Sequence, residues 1–484
     1  MPPSFTLNGT PVFLPPLAPT TTLLEWLRAA GHTGTKEGCA EGDCGACTVA
    51  LLDTEAPGGP TWRSVCSCIM LLPQVVGRHI VTVEGLADAD GLHPAQAAMV
   101  EALGSQCGYC TPGFVMSLFE ATYRDDLDCQ AKKDDQLCGN LCRCTGYRPI
   151  RDALEAVAGA RPADRFRDAT ETDPASLPAV DHVHGDQRLV RPSAWHDLWP
   201  LLDVSDVRIV AGATDLGLDV TQRHAVLPML VDVGALPGMR GLETLSQGGW
   251  RIGAGTRLSD LEHWAADHAP LMARMLRYFA SRQIKNNATL GGNLCNASPI
   301  GDLAPVLLAR DATVVLRSVS GERRVPIEAF FLSYRKTALR PGEVMAAIEL
   351  PDLAPHARAA AYKVSKRREL DISAVAAAFV VDTDRMGTVR HARLAFGGMA
   401  ATPARARRAE EALMGQVFDA ATLEDACAML AHDFTPLDDH RGSAWYRATV
   451  AANLLRGFLR ETETNAVPSL PERPTGTVTP ERTA

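Results

Sequence analysis

The sequence predicts a multidomain α+β chain. A small sheet-and-helix unit is followed by a helical bundle, then by a larger α/β unit and a closing α+β unit. Three observations carry this. Residues 4–83 alternate over short stretches, such as Phe5-Thr6-Leu7-Asn8 and Cys47-Thr48-Val49-Ala50-Leu51-Leu52, around one helix at 23–30. From His93 the pattern becomes helical, over 94–103, 113–123 and 148–158. From Arg208 apolar strand-like runs, glycine turns and helices alternate.

Eight cysteines in the first third fall into two groups. The first is Cys39-Ala40-Glu41-Gly42-Asp43-Cys44-Gly45-Ala46-Cys47, with a fourth thiol about twenty residues on, the C-x4-C-x2-C…C run of a two-iron, two-sulfur cluster. Gly38, Gly42 and Gly45 interleave the cysteines and are expected at positive φ, turning backbone amides inward to the sulfurs. Val65-Cys66-Ser67-Cys68 offers two candidates for the fourth thiol. The second group is Cys107-Gly108-Tyr109-Cys110, then Cys142-Arg143-Cys144 after a helix-length gap. Pro112 and Pro149 stand shortly after these pairs, where proline suits a helix's first turn. The thiols are therefore expected at helix N-termini, whose positive end favours thiolate. Zinc is the alternative. A glycine-packed C-x4-C-x2-C run fits it poorly, whereas CxxC…CxC alone leaves it open. Two clusters in one chain imply that electrons are relayed singly.

Composition bounds the class. At 484 residues the chain is expected to hold about three domains. Met1-Pro2-Pro3-Ser4 opens no basic leader with an apolar core, and no apolar run approaches twenty residues, 372–381 being too short and alanine-rich. A reducing cytoplasm and no membrane partner are expected. The thirteen cysteines then read as cluster ligands or inert core residues, Cys129, Cys138, Cys295 and Cys427 among the latter. A formal charge of -9 argues against a nucleic-acid partner, which would want a basic face.

Residues 161–187 are polar, carry Pro162, Pro174 and Pro178, and read as a linker. Ile209-Val210-Ala211-Gly212-Ala213-Thr214-Asp215 reads as a buried strand entering a glycine turn, which could free amides for a phosphate or be an ordinary strand-to-loop turn. Two more glycine stretches follow, Thr289-Leu290-Gly291-Gly292-Asn293-Leu294 and Ser298-Pro299-Ile300-Gly301-Asp302. Neither is a GxGxxG fingerprint and no Walker lysine occurs, so a conventional Rossmann site is not expected. Alternating stretches and a helix at 447–459 come after Pro351, then a proline-rich tail expected to be disordered.

Three motifs carry a family resemblance. They are Glu41-Gly42-Asp43-Cys44-Gly45-Ala46-Cys47-Thr48-Val49, Gln106-Cys107-Gly108-Tyr109-Cys110-Thr111-Pro112-Gly113 and Gly139-Asn140-Leu141-Cys142-Arg143-Cys144-Thr145-Gly146-Tyr147-Arg148. In this order they resemble the molybdenum hydroxylase family, in particular the small iron–sulfur/FAD subunit of bacterial xanthine dehydrogenases, over roughly residues 4–462. Downstream, Leu290-Gly291-Gly292-Asn293 and Phe331-Leu332-Ser333-Tyr334-Arg335-Lys336-Thr337 resemble the family's flavin domain. The resemblance implies a β-grasp 2Fe-2S ferredoxin domain (1–85), a helical-bundle 2Fe-2S domain (86–160) and a linker (161–187). It further implies an α/β FAD-binding domain (188–350), an α+β C-terminal flavoprotein domain (351–462) and a tail (463–484).

The same resemblance implies the sites. Cys39, Cys44, Cys47 and Cys68 would hold one 2Fe-2S cluster, and Cys107, Cys110, Cys142 and Cys144 the other. Cys68 is preferred over Cys66 because the family's fourth ligand stands fourteen residues before a Thr-Val-Glu-Gly signature, here Thr82-Val83-Glu84-Gly85. Ile209, Val210, Ala211, Gly212, Ala213, Thr214, Asp215 and Leu216 match the loop around the FAD pyrophosphate. Phe279 matches an aromatic residue at the isoalloxazine ring, and Thr289, Asn293, Ser298 and Asp302 match polar positions that bind the rest of FAD. From the residues alone, Phe279 reads equally as a core aromatic and Asp302 as a loop cap. Arg367, Arg368 and Asp371-Ile372 fall in the family's basic stretch. Gly212-Ala213-Thr214 departs from the usual Gly-Gly-Thr, a change expected to leave the loop intact.

The resemblance also implies a role. The molybdenum-pterin centre would sit on a large partner subunit, two copies of each subunit assembling. Electrons from purine oxidation would pass to the helical-domain cluster, then the ferredoxin-domain cluster, then FAD and NAD+, with no catalytic acid or base on this chain. Two other readings compete: a sister hydroxylase acting on carbon monoxide, nicotinate or an aromatic acyl thioester, and a non-catalytic redox-sensing iron–sulfur flavoprotein.

Overall fold

Strand Thr48–Asp53 is buried along its whole length because its two faces belong to two different cores. Val49 and Leu51 point into a core with Phe5, Leu7, Leu23, Leu27 and Ile80, while Ala50 and Leu52 join the helices that follow. Side chains alternate with period two along a strand, so one segment glues two units together. The protein is described here from a computed structural model, which covers residues 2–89 and 91–469.

The first unit is a five-stranded mixed sheet in the order Thr10–Phe13, Ser4–Leu7, His79–Val81, Thr48–Asp53, Thr61–Cys66, with Ser4–Leu7 and His79–Val81 parallel and the other neighbours antiparallel. Helix Leu23–Ala29 crosses it. Thr22 caps that helix, its hydroxyl accepting from the Glu25 amide at 3.1 Å while the Glu25 carboxylate accepts from the Thr22 amide at 2.7 Å. The arrangement is the expected β-grasp.

The second unit holds helices Pro94–Glu101, Thr111–Tyr123, Gln130–Leu137 and Arg148–Val157. Gln130–Leu137 escaped the sequence pattern because its sequence is mostly polar and it buries only Ala131 and Leu137 as apolar contacts. The segment expected to be a linker is structured in part. Asp164 caps helix Arg165–Thr170, and Phe166 enters the helical core beside Trp62, whose indole donates to the Phe166 carbonyl at 2.8 Å. Val180–His184 then pairs with Gln187–Arg191. One buried aromatic per short helix leaves no periodicity to read.

The flavin unit has two large sheets beside the small hairpin of Phe331–Ser333 and Lys336–Thr337. One runs Val180–His184, Gln187–Arg191, Met229–Asp232, Val207–Val210, with the last three strands parallel; the other is antiparallel, with Val344–Leu350 at its centre. Val207–Val210 corrects an expectation. It is an edge strand with Ile209 40% exposed, rather than a buried one. The last unit is an antiparallel sheet, Arg358–Val364, Val375–Thr383, Val389–Gly397 and Ala404–Arg405, backed by Arg407–Leu413, Ala420–Asp433 and Ala444–Thr464. Strand Val375–Thr383 is again buried on both faces: Val375, Ala377 and Phe379 pack under the helices, while Ala376 and Ala378 meet the flavin unit's core. That explains the alanine-rich run. The final helix extends to Thr464, into the expected tail, and residues from 470 on lie outside the described part. Among the described residues no helix is long and apolar enough to cross a membrane.

Buried charge fastens the units. Asp53 meets Arg63 at 2.8 Å, Arg240 at 2.9 Å and Arg257 at 3.4 Å, joining the first sheet to the flavin unit. Burial opposes the Asp53 charge, but Arg257, Arg63 and Arg240 outweigh it and hold the carboxyl well below the usual range. Lys285 bridges Asp135 of the helical unit, at 2.6 Å, and Glu262, at 2.8 Å. Helix Arg282–Lys285 thereby inserts where three units meet: Gln283 donates to Asn140 Oδ1 at 2.8 Å and Ser117 Oγ at 3.1 Å.

Candidate functional site

The first cysteine loop is built around its sulfurs. The backbone amides of Glu41 and Cys44 donate to Cys39 Sγ at 3.4 and 3.3 Å. Gly42 and Gly45 take φ of 85° and 68°, as the sequence predicts, and Ala40 joins them at 55°. Gly38 is a glycine for a different reason. It is not at positive φ, and a Cβ there would lie 2.6 Å from Cys44 Sγ. The thiols stand in pairs, Cys39 with Cys44, and Cys47 with both Cys66 and Cys68. The hydrogen bond from Cys44, aided by loop amides against the cost of burial, holds Cys39 down to about 5.

The second group sits where two helices begin. Cys110 stands immediately before Thr111–Tyr123, and Cys142 and Cys144 precede Arg148–Val157, with Pro112 and Pro149 in the first turns as predicted. Here too the thiols pair, Cys110 with Cys142 and Cys107 with Cys144. Thr145 donates to Cys142 Sγ from its hydroxyl at 3.1 Å and its amide at 3.5 Å. Burial and then the Cys142 hydrogen bond push Cys110 up to about 12. Cys107 and Cys144 are exposed, whereas Cys47 and Cys68 are buried.

Among the described residues, no three His, Cys, Asp or Glu side chains are drawn together as one metal ion would require. Two thiols side by side, facing a second such pair and met by backbone amides, suit two irons held by two thiolates each. The donor set therefore fits a 2Fe-2S cluster in both groups.

A cleft of about 610 Å³ opens beside the first loop, lined by residues 207–216, Phe279, Ile284, Thr289, Asn293 and Met345. Its floor is tight: Asn287 Nδ2 donates to the Gly212 carbonyl at 2.6 Å, and a Cβ on Gly212 would lie 1.9 Å from the Asn287 carbonyl oxygen. Ala213 stands at φ 56°, a left-handed position that favours glycine, so the departure from Gly-Gly-Thr carries backbone strain. Thr289 lines the cleft while its hydroxyl caps Leu290–Cys295, accepting from Gly292 at 3.1 Å. Phe279 is half-buried and faces the cleft, so it is not simply a core aromatic.

Two expected residues are placed differently. Ser298 does not line the cleft, its hydroxyl accepting from the Ile300 amide at 3.4 Å. Asp302 is buried, makes no capping bond, and meets Lys363 at 2.8 Å and the Ser373 hydroxyl at 2.5 Å. Lys363 also donates to the Tyr278 carbonyl at 2.9 Å, so Asp302 acts on the chain just before Phe279. Cys295, expected to be an inert core residue, lines the cleft, and burial pushes its thiol up to about 12. Arg367 and Arg368 border an open groove beside Tyr147 and Arg148, with Arg368 reaching Asp134 at 3.2 Å.

Cleft and first loop touch through residues no motif marks. Gln222 Nε2 donates to the carbonyls of Cys39 and Ala40 at 3.2 and 3.1 Å. Ile284 lines the cleft and also abuts the loop, where a Cβ on Gly42 would meet its Cδ1 at 3.0 Å.

Comparison with known proteins matches four sequence families along the chain. They are a 2Fe-2S iron-sulfur cluster binding domain at 5–72, a 2Fe-2S binding domain at 82–155, the FAD binding domain in molybdopterin dehydrogenase at 184–353, and the CO dehydrogenase flavoprotein C-terminal domain at 360–462. The chain thus has two 2Fe-2S binding domains and an FAD-binding domain. A xanthine dehydrogenase of Emericella nidulans is 34% identical over 94% of this chain, and a nicotinate hydroxylase of the same fungus 32% identical over 94%. The chain spans only 38% and 40% of those proteins' own lengths. A carbon monoxide dehydrogenase structure from Hydrogenophaga pseudoflava is 29% identical with a TM-score of 0.54, covering 57% of this chain and 97% of that one.

Proposed function

We propose that this chain, the iron–sulfur and flavin region of a molybdenum hydroxylase of the xanthine dehydrogenase and carbon monoxide dehydrogenase family, carries electrons from a molybdenum-pterin centre on a large partner subunit to NAD+ while hypoxanthine and xanthine are oxidised to urate. When bound, the clusters carry single electrons, and FAD accepts them one at a time and releases two as hydride. Cys39, Cys44, Cys47 and Cys68 hold the first cluster, and Cys107, Cys110, Cys142 and Cys144 the second. The 209–216 loop, Phe279, Thr289 and Asn293 hold FAD, while Asp302 supports Phe279 through Lys363. The working assembly has two copies of each subunit.

One observation carries the direction of flow. The Cys39 loop meets the flavin unit beside the cleft, through Gln222 and Ile284, while Cys107 and Cys144, the more exposed thiols, are open to whatever docks outside. Charge entering at the second group reaches the cleft through the first. Residues here position and insulate; none is needed as acid or base.

The xanthine reading is supported by a match that runs through all four units, whereas the carbon monoxide dehydrogenase chain corresponds to just over half of this one. The similar match to a nicotinate hydroxylase makes nicotinate the second reading. Turnover of the purified complex with xanthine against nicotinate separates the two. For the electron path, Cys107→Ser is expected to block substrate-to-NAD+ turnover yet spare NADH-to-dye activity. Loss of both from a folded complex overturns the upstream position of that group.

A further inference from the structure

We infer that Cys66 is a reserve ligand of the first cluster, able to hold the iron in place of Cys68. This rests on the reading of the first cysteine group as a 2Fe-2S site.

Ser67 is the reason two thiols reach one place. It is fastened to the Cys47 carbonyl twice, by its amide at 3.4 Å and its hydroxyl at 2.7 Å. Cys66 ends strand Thr61–Cys66 opposite Thr48, and Cys68 lies in the short 3-10 turn Ser67–Ile69. The chain leaves the strand at Cys66 and turns at once, so the pinned serine leaves the thiols on either side of it packed in one cluster with Cys47. Both sulfurs share a hydrogen bond with the Cys47 sulfur. The Cys66 thiol also donates to the Gly42 carbonyl at 3.6 Å, between Cys39 and Cys44 on the loop. It therefore touches both halves of the site.

An inert core cysteine would be enclosed by hydrocarbon. Cys66 is only 3% exposed, but its surroundings include two sulfurs and a loop carbonyl: its cluster is Leu24, Cys47, Cys68 and Ile69, with Leu218 and Ile284 packed against it, and its thiol reaches the Gly42 carbonyl. Exchange between the two thiols needs no oxidant and no net proton. The iron–sulfur bond to Cys68 breaks and one to Cys66 forms, and the proton given up by the Cys66 thiol goes to the released Cys68 sulfur. Nothing is oxidised or reduced.

The test uses the full chain with Cys66→Ala, Cys68→Ala and the double substitution, read by iron and acid-labile sulfide content and by low-temperature EPR after dithionite. Alanine is chosen because a serine oxygen could itself ligate. Each single variant is expected to keep full iron and both cluster signals, with the first signal shifted in Cys68→Ala, while the double variant loses half its iron and one signal. Loss of the first signal in Cys68→Ala as complete as in the double variant overturns the proposal. Should Cys68→Ala fail to fold, Cys66→Ala decides alone: a chelator should strip its first cluster several-fold faster than from the unaltered chain, and equal rates overturn the proposal. Unaltered protein with zinc or no metal would instead overturn the cluster reading itself.

Discussion

The Leu141 amide donates to the Cys44 carbonyl at 3.0 Å, so the loops bearing the two cysteine groups are one hydrogen bond apart. Leu141 adjoins Cys142, so this bond joins the two groups through neighbouring residues. Asn140 adds a second link, donating to the Gly45 carbonyl at 3.1 Å.

Gly45 is what allows the loops so close. It holds φ 68°, and a Cβ on it would lie 2.2 Å from the Gly139 carbonyl oxygen, a backbone atom that cannot swing aside. Gly45→Ala should cost roughly 3 kcal/mol from the left-handed conformation and the overlap together. Thermal melts report the cost, and EPR of the reduced protein should show weakened coupling between the two spins. An unchanged melt would mean the loops do not meet as described.

The flavin loop offers a pair of substitutions with opposite expectations. Gly212→Ala drives a methyl into the Asn287 carbonyl, 1.9 Å away, and should abolish FAD retention. Ala213→Gly relieves a left-handed alanine at φ 56°, about 1 kcal/mol, against a similar entropic cost in the unfolded chain. It should retain FAD and shift the melt little. Flavin content after gel filtration distinguishes them, and flavin loss in both would contradict the loop geometry.

His93 gives the helical unit an acid sensitivity. Its Nδ1 accepts from the Ala95 amide at 3.1 Å, which leaves Nε2 to donate to Tyr123, at 2.8 Å, and Tyr123 donates to Asp164 at 2.6 Å. Burial pushes the imidazole down from 6.5 to about 4, against the pull of Asp164. The folded state thus keeps it neutral where the unfolded chain would protonate it. The stabilisation is complete above pH 6.5 and is lost as pH falls toward 4, amounting to at most about 3 kcal/mol. His93→Asn keeps a capping oxygen and should flatten the melting temperature between pH 7 and 5. An equally steep profile in the variant assigns the sensitivity elsewhere.

Much of this was legible because cluster chemistry fixes residue types at fixed spacings. Cysteines interleaved with glycine and prolines in first helical turns announced both groups before any fold was known. Alternation announced strand Thr48–Asp53, though not that its second face packs on the helices. What stayed hidden depends on contacts between distant segments. Gln222, just past helix Leu216–Thr221, and Ile284 look ordinary until the units dock, and Asp302 sits in a motif yet spends its carboxylate on Lys363 and Ser373. Helix Arg165–Thr170 is too short, with one buried apolar residue, to leave a period.

The most direct test of the electron path is an anaerobic titration of the purified chain with NADH, followed by visible absorption and low-temperature EPR. Bleaching of a flavin together with two distinct cluster signals is the predicted result, since all three centres would then communicate with nicotinamide on one chain. A colourless chain with bound zinc, or clusters that dithionite reduces and NADH does not, would contradict it.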